Sequence, residues 1–131
     1  MEAKILLDTN FLLIPAEFRV DIFSELERLM DRSYTVYILD KSVEELQHIQ
    51  QVQKGKNREA AKIALQLINK QQKAKHLNII AAGHGSVDDA IVELADKDYI
   101  VGTQDRMLRR RLRQKNIKLL SLREKNHLTI L

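Results

Sequence analysis

Apolar and polar residues follow two periods along this chain, one near 2 and one near 3.6, and the two take turns from end to end. Ala3-Lys-Ile-Leu-Leu7 is a short apolar run of strand formers that stops at Asp8-Thr9-Asn10, so it reads as a buried strand followed by a loop. Val20, Phe23, Leu26, Leu29 and Met30 recur at helical spacing and predict one helix over about 18–31. Tyr34-Thr-Val-Tyr-Ile-Leu39 alternates and is β-branched or aromatic, a second strand. Ser42-Val-Glu-Glu45 opens the next helix in a capping-box pattern. Residues 50–58 are polar around Gly55 and predict a turn, after which Ala60, Ile63, Ala64, Leu67 and Ile68 share one helical face. Leu77-Asn-Ile-Ile80 is a short strand, and Ser86 caps a helix carrying Ala90, Ile91, Leu94 and Ala95. Residues 99–101 form a strand, Asp105 starts a basic helix, residues 117–120 form a closing strand, and 127–131 add an edge strand.

Short apolar strands alternating with amphipathic helices specify an α/β fold, a central parallel sheet of about five strands with helices on both faces. A chain of 131 residues without repeats or linkers fits one domain over residues 1–131. The chain has no Cys, which excludes a disulfide framework, thiolate zinc sites and cysteine nucleophiles. The N-terminus lacks a signal-peptide pattern, and no apolar run approaches the roughly 20 residues of a membrane span. The expectation is a cytoplasmic protein without membrane contact.

In open α/β sheets, ligands bind outside the carboxyl ends of the strands. Asp8 falls at the end of the first strand and Asp105 just beyond the strand at 99–101, while Glu45 and Asp89 fall in the first turns of helices starting on the same side. Each also has a structural explanation. Ser42-x-x-Glu45 and Ser86-x-x-Asp89 match capping boxes, Asp105 matches an N-cap, and Asp88 suits a helix dipole. A carboxylate ending a buried strand, as Asp8 does, needs compensation. Four acids converging on one cleft repel unless a cation lies among them, and oxygen-only ligands suit Mg²⁺ or Mn²⁺.

At these positions the chain resembles a known family. Ile5-Leu-Leu-Asp8-Thr9-Asn10 resembles the opening of PIN (PilT N-terminal) domains. Val43-Glu44-Glu45-Leu46, Val87-Asp88-Asp89-Ala90-Ile91 and Val101-Gly-Thr103-Gln-Asp105-Arg106-Met-Leu108 resemble the later motifs, in family order. The resemblance implies a compact α/β fold related to the flap-endonuclease core, one or two Mg²⁺ or Mn²⁺ ions, and ribonuclease activity. It implies Asp8, Glu45, Asp89 and Asp105 as the metal-binding, catalytic acids, with Asn10 and Thr103 supporting them through hydrogen bonds. Glu45 is preferred to Glu44, and Asp89 to Asp88, because the family's acid directly precedes Leu or Ala; Glu44 and Asp88 are left in supporting places. The Asp-Asp-Ala-Ile form and basic last helix look closest to archaeal PIN proteins and their ribosome-biogenesis relatives, implying work on ribosomal or transfer RNA. Two other implied readings are a toxin-type ribonuclease held by a small antitoxin, and a non-catalytic RNA-binding factor of a ribosomal particle. A homodimer is also implied, with the apolar face of residues 60–68 offered either as interface or as core.

The formal net charge of +4 is compatible with nucleic-acid binding, and its distribution is more telling. Six cations fall in residues 106–115, and Arg106, Arg109, Arg110 and Arg113 lie near one another at helical spacing, with Arg111 turned to the side. These four arginines are the expected RNA-backbone contacts, and Lys54-Gly-Lys56-Asn-Arg58 a second one. With three Phe, three Tyr and no Trp, base stacking is a minor contribution. The four histidines share no zinc-ligand spacing, and His84 lies in a loop near the acidic helix start.

Overall fold

A computed structural model describes residues 2–83 and 85–131; His84 lies outside the described residues. Its strands are β1 (Ala3–Leu7), β2 (Tyr34–Leu39), β3 (Leu77–Ile80), β4 (Tyr99–Gly102), β5 (Lys118–Arg123) and β6 (His127–Ile130). They form one sheet in the order β3-β2-β1-β4-β5-β6, parallel except for the antiparallel pair β5–β6. The helices are α1 (Ile14–Phe18), α2 (Ile22–Leu29), α3 (Asp40–Val52), α4 (Lys56–Lys73), α5 (Val87–Leu94) and α6 (Arg106–Gln114), and a 3-10 turn spans Thr9–Leu13. The α/β class expected from the sequence is therefore observed, with the 127–131 strand completing a sixth position at one edge.

Side-chain alternation divides the core by sheet face. Ile5 and Leu7 point into a cluster with Val36 and Ile38 of β2 and with Ile22, Leu26, Leu46, Ala61, Ala64 and Ile68 of α2, α3 and α4. Leu6 points the other way, into a cluster with Val101 of β4 and with Ile91, Leu108 and Leu112 of α5 and α6. Ala60, Ala61, Ala64 and Ile68 of α4 are buried in the monomer. The apolar face of residues 60–68 is thus core, and only Ile63 at its margin is notably exposed, at 38%.

Two local expectations are corrected. The helix expected over 18–31 is present but shorter, as α2 over Ile22–Leu29, because Arg19 adopts a left-handed conformation (φ 56°) that ends the separate α1 at Phe18. Asp21 then accepts a hydrogen bond from Ser24 N–H at 3.1 Å and starts α2 afresh. The second helix starts at Asp40 rather than Ser42, and Ser42 is buried inside it without capping anything. At the sheet edge, Glu25 and Arg28 of α2 occupy the outward N–H and C=O of Leu128 at 2.8 and 2.9 Å, which closes part of the β6 edge to another strand.

Gly102, the last residue of β4, decides how closely the two central strands meet the turn after β1. A Cβ there would lie 2.9 Å from Leu7 Cδ2 and 3.0 Å from Phe11 Cδ2. Both neighbours are fully buried and have little room to move. Gly102→Ala is therefore expected to lower stability by about 1–3 kcal/mol through overpacking. Urea denaturation checks this, and an unchanged midpoint would mean that Phe11 can rotate away.

Candidate active site

The sheet order reverses between β1 and β4, since β1 continues outward to β2 and β3, and β4 outward to β5. A crevice opens outside the carboxyl ends of strands at such a switch point. Asp8 follows β1 there and Thr103 follows β4, and the two meet: Thr103 Oγ1 donates to Asp8 Oδ2 at 2.8 Å. The other carboxylate oxygen, Oδ1, accepts from Thr9 N–H at 2.8 Å. Asp8 is only 4% exposed and Thr103 fully buried, so this carboxylate is held rather than free to swing. Thr103 Oγ1 also accepts from Asp105 N–H at 3.1 Å, which ties the start of α6 to the same hydroxyl. Asn10 acts one step away, its Oδ1 accepting from Gln104 N–H at 3.0 Å and so fixing the loop between β4 and α6.

Glu45 reaches the cleft from α3. Thr9 Oγ1 donates to Glu45 Oε1 at 2.7 Å and lies 2.8 Å from the buried Ser42 hydroxyl. The Ser42-x-x-Glu45 spacing that resembles a capping box thus serves a different purpose, orienting Glu45 through Thr9. Thr9 and Ser42 carry no site role in the sequence reading; Thr9 directly follows Asp8, whereas Ser42, between Lys41 and Val43, is marked only by its spacing to Glu45. Glu44 faces a neighbouring groove lined also by Lys41 and His48.

The tandem acids of α5 separate. Asp88 lines the cleft with Asp8, Glu45 and Asp105. Asp89 does not: its backbone N–H donates to the Ser86 cap at 3.1 Å, and its carboxylate pairs with Arg111 Nη1 at 2.9 Å on a side chain 66% exposed. The structure therefore brings Asp88, in place of the expected Asp89, to the other three acids, because the Ser86 cap turns the third helical position away from the cleft. Asp105 is both cap and cleft residue. Its Oδ1 accepts from Leu108 N–H at 3.0 Å, and this bond orients the side chain without taking it out of the cleft.

The resulting cleft has a volume of about 240 Å³, walled on its apolar side by Leu13, Ile49 and Val87. No cationic side chain among the described residues lines it. Burial pushes the Asp8 carboxyl up to about 6, with the charges of Asp88 and Glu45 adding to that, against the Thr103 and Thr9 hydrogen bonds that favour ionisation. Asp88 is raised too, by burial first and then by Asp105, with Arg111 opposing. Asp89 is held below the usual carboxylate range by Arg111 and Ser86. Among the described residues, no three such side chains stand close enough to enclose an ion by themselves. A donor set of mutually repelling carboxylates around a small polar space still fits a hard cation, above all Mg²⁺, which keeps several of its waters and takes only one or two carboxylates directly.

Beyond Asp105, Arg106, Arg109, Arg110 and Arg113 line one groove of about 430 Å³, as their helical spacing predicts. Arg109 differs from the other three. Its guanidinium donates to Thr103 O at 3.2 Å and to Ser121 Oγ at 2.8 Å, so it forms the fixed floor of the groove and braces the loop that holds Asp8. Lys56 and Asn57 line a different groove, with Arg19 and Gln53. No described helix is long and apolar enough to cross a membrane.

A model of the PIN-like domain family matches residues 5–125. The chain is 29% identical to Ribonuclease VapC4 of Methanocaldococcus jannaschii over 131 residues, covering 97% of this chain and 95% of that protein. The structure is similar to that of the PIN domain endonuclease Utp24, with a TM-score of 0.73 and 24% identity across 97% of this chain and 90% of the other. That second likeness is one of fold.

Proposed function

Because the chain belongs to the PIN-like domain family, we propose that it is an endoribonuclease dependent on Mg²⁺ or Mn²⁺, a single nuclease domain over residues 1–131. Asp8, Glu45, Asp88 and Asp105 are the acids that hold the metal, one or two directly and the others through its waters, and RNA is the partner. The observation that carries this reading is Asp8 itself, a nearly buried carboxylate facing acids from three other elements in a cleft without a cationic side chain among the described residues. A divalent ion there would lower the pKa of a bound water and stabilise negative charge on a phosphoryl group.

The protein's own groups do the rest. Thr103, Thr9 N–H and the Asp105 N–H bond fix the acid positions, and Leu13, Ile49 and Val87 limit water on one side. Arg106, Arg110 and Arg113 hold the RNA backbone beside the cleft, giving affinity that falls with salt and depends little on sequence. The concentration of arginines on α6 supports processing of ribosomal or transfer RNA over a toxin role. The similarity to a protein named a ribonuclease supports the substrate class.

Calorimetric titration of Mn²⁺ into metal-free protein tests the shared site, followed by cleavage of a fluorescent RNA. Binding and cleavage in the wild type are expected to be lost in both Asp8→Asn and Asp105→Asn. Cleavage that survives in the double variant, purified free of host nuclease, would overturn the mechanism.

A further inference from the structure

Asp88 reaches the cleft on α5, the least anchored of the helices around the site. Of its eight residues only Ile91 is buried, and a helix that short has little stability of its own. Val87, Ala90 and Val92 pack only in part against the core beside Ile91, and a set of polar tethers supplements that packing. On the approach to its N-terminus, Asp40 Oδ1 accepts from Ala82 N–H at 3.0 Å, and Lys41 Nζ donates to Gly85 O. At its first turn, Arg111 pairs with Asp89 at 2.9 Å. At its C-terminal end, Lys115 Nζ donates to Val92 O and to Ala95 O, the latter at 2.8 Å.

Every tether comes from an element that carries another of the cleft acids. Asp40 and Lys41 belong to α3, which carries Glu45. Arg111 belongs to α6, whose N-cap is Asp105, and Lys115 is the residue at its C-terminal end. Lys115 has the most leverage. The last carbonyls of a helix have no partners within it, and a cation there satisfies them and complements the dipole. Arg111 and Lys115 are four residues apart, so one face of α6 grips both ends of α5.

We infer that Lys115 is a positioning residue for Asp88, setting from the far end of α5 where the first turn of that helix stands in the cleft. The inference rests on the proposed metal-binding role of Asp88. It places a determinant of metal affinity about 6–11 Å along the helix from the acid concerned, since Lys115 holds carbonyls four and seven residues beyond Asp88 at 1.5 Å per residue, on a surface residue with no access to the metal.

The test is Mn²⁺ affinity by calorimetry, at a temperature where all variants remain folded by circular dichroism. Lys115→Met is expected to bind about tenfold more weakly, the lower end of what loss of a ligand's supporting partner costs. Lys115→Arg, which keeps a cation of similar reach, should recover most of the affinity. Lys118→Met, an exposed lysine on β5, removes the same charge without touching α5 and should bind like the wild type. Wild-type affinity in Lys115→Met, beside lost binding in Asp88→Asn, would overturn the inference alone, as would equal weakening in Lys118→Met, which would reduce it to net charge. Wild-type binding by Asp88→Asn would overturn the role of Asp88 and this inference with it.

Discussion

Asp88→Asn is expected to reduce RNA cleavage by roughly two orders of magnitude or more, while Asp89→Asn leaves it within about threefold. Losing a group that merely supports a metal ligand already weakens metal binding or activity by roughly 10–100-fold, and losing a ligand should do no less. Asp88 faces Asp8, Glu45 and Asp105, and its carboxyl is raised first by burial and then by the like charge of Asp105. Asp89 has its partner already in Arg111, on side chains 43% and 66% exposed. Exposed pairs of this kind contribute about 0–1 kcal/mol, so the remaining effect of Asp89→Asn is a slight loosening of α5. The measurement is kcat/KM for one RNA with both variants at saturating Mn²⁺. The reverse order of effects would restore Asp89 as the ligand and mean that α5 turns about its axis when metal is bound.

The misplaced aspartate shows what was legible in the sequence. Strand and helix periods place the sheet, and strand ends place Asp8 and Thr103, because a buried parallel sheet leaves little freedom in where its carboxyl edge falls. The tandem acids are a finer problem. Ser42-x-x-Glu45 and Ser86-x-x-Asp89 have the same spacing, yet Ser86 caps its helix and turns Asp89 outward, whereas Ser42 is buried inside α3 and Glu45 faces the cleft. The difference is that α3 already begins at Asp40, whose carboxylate accepts from Lys41 N–H at 2.8 Å and from Ala82 N–H. That tertiary contact cannot be read from a local pattern. The same applies to Arg109, which helical spacing groups with three groove arginines but whose contacts to Thr103 O and Ser121 depend on how α6 lies over β4 and β5.

Asp8→Asn is expected to make the metal-free protein more stable at pH 8, by about 1–3 kcal/mol, while removing its activity. The folded protein holds the Asp8 carboxyl up at about 6, against an ordinary value of 3.8. The folded state therefore binds more protons than the unfolded state between those values, and stability falls as pH rises through that window. At 1.36 kcal/mol per pH unit the ionised carboxylate destabilises the fold by about 3 kcal/mol above pH 7. An asparagine removes that charge, and part of the gain is lost with the short bond from Thr103, whose hydroxyl retains Asn10 Oδ1 at 3.4 Å as a second acceptor.

The decisive quantity is the stability difference between variant and wild type as a function of pH, since titrating groups that do not interact with Asp8 cancel in it. Glu25, lowered to about 2 by Arg28 and Leu128 N–H, loses its contribution only as the pH falls below the ordinary carboxylate range, a separate window common to both proteins. The difference should be small at pH 4, grow to pH 7 and then level off. Mn²⁺ at 1,000 times Kd should reverse the order, because it stabilises the wild type by about 4.1 kcal/mol and has no complete site in the variant. A difference that does not change with pH would mean that Asp8 is not desolvated in solution. The strain at the end of β1 would then be absent, and with it the main physical reason for a cation in this cleft.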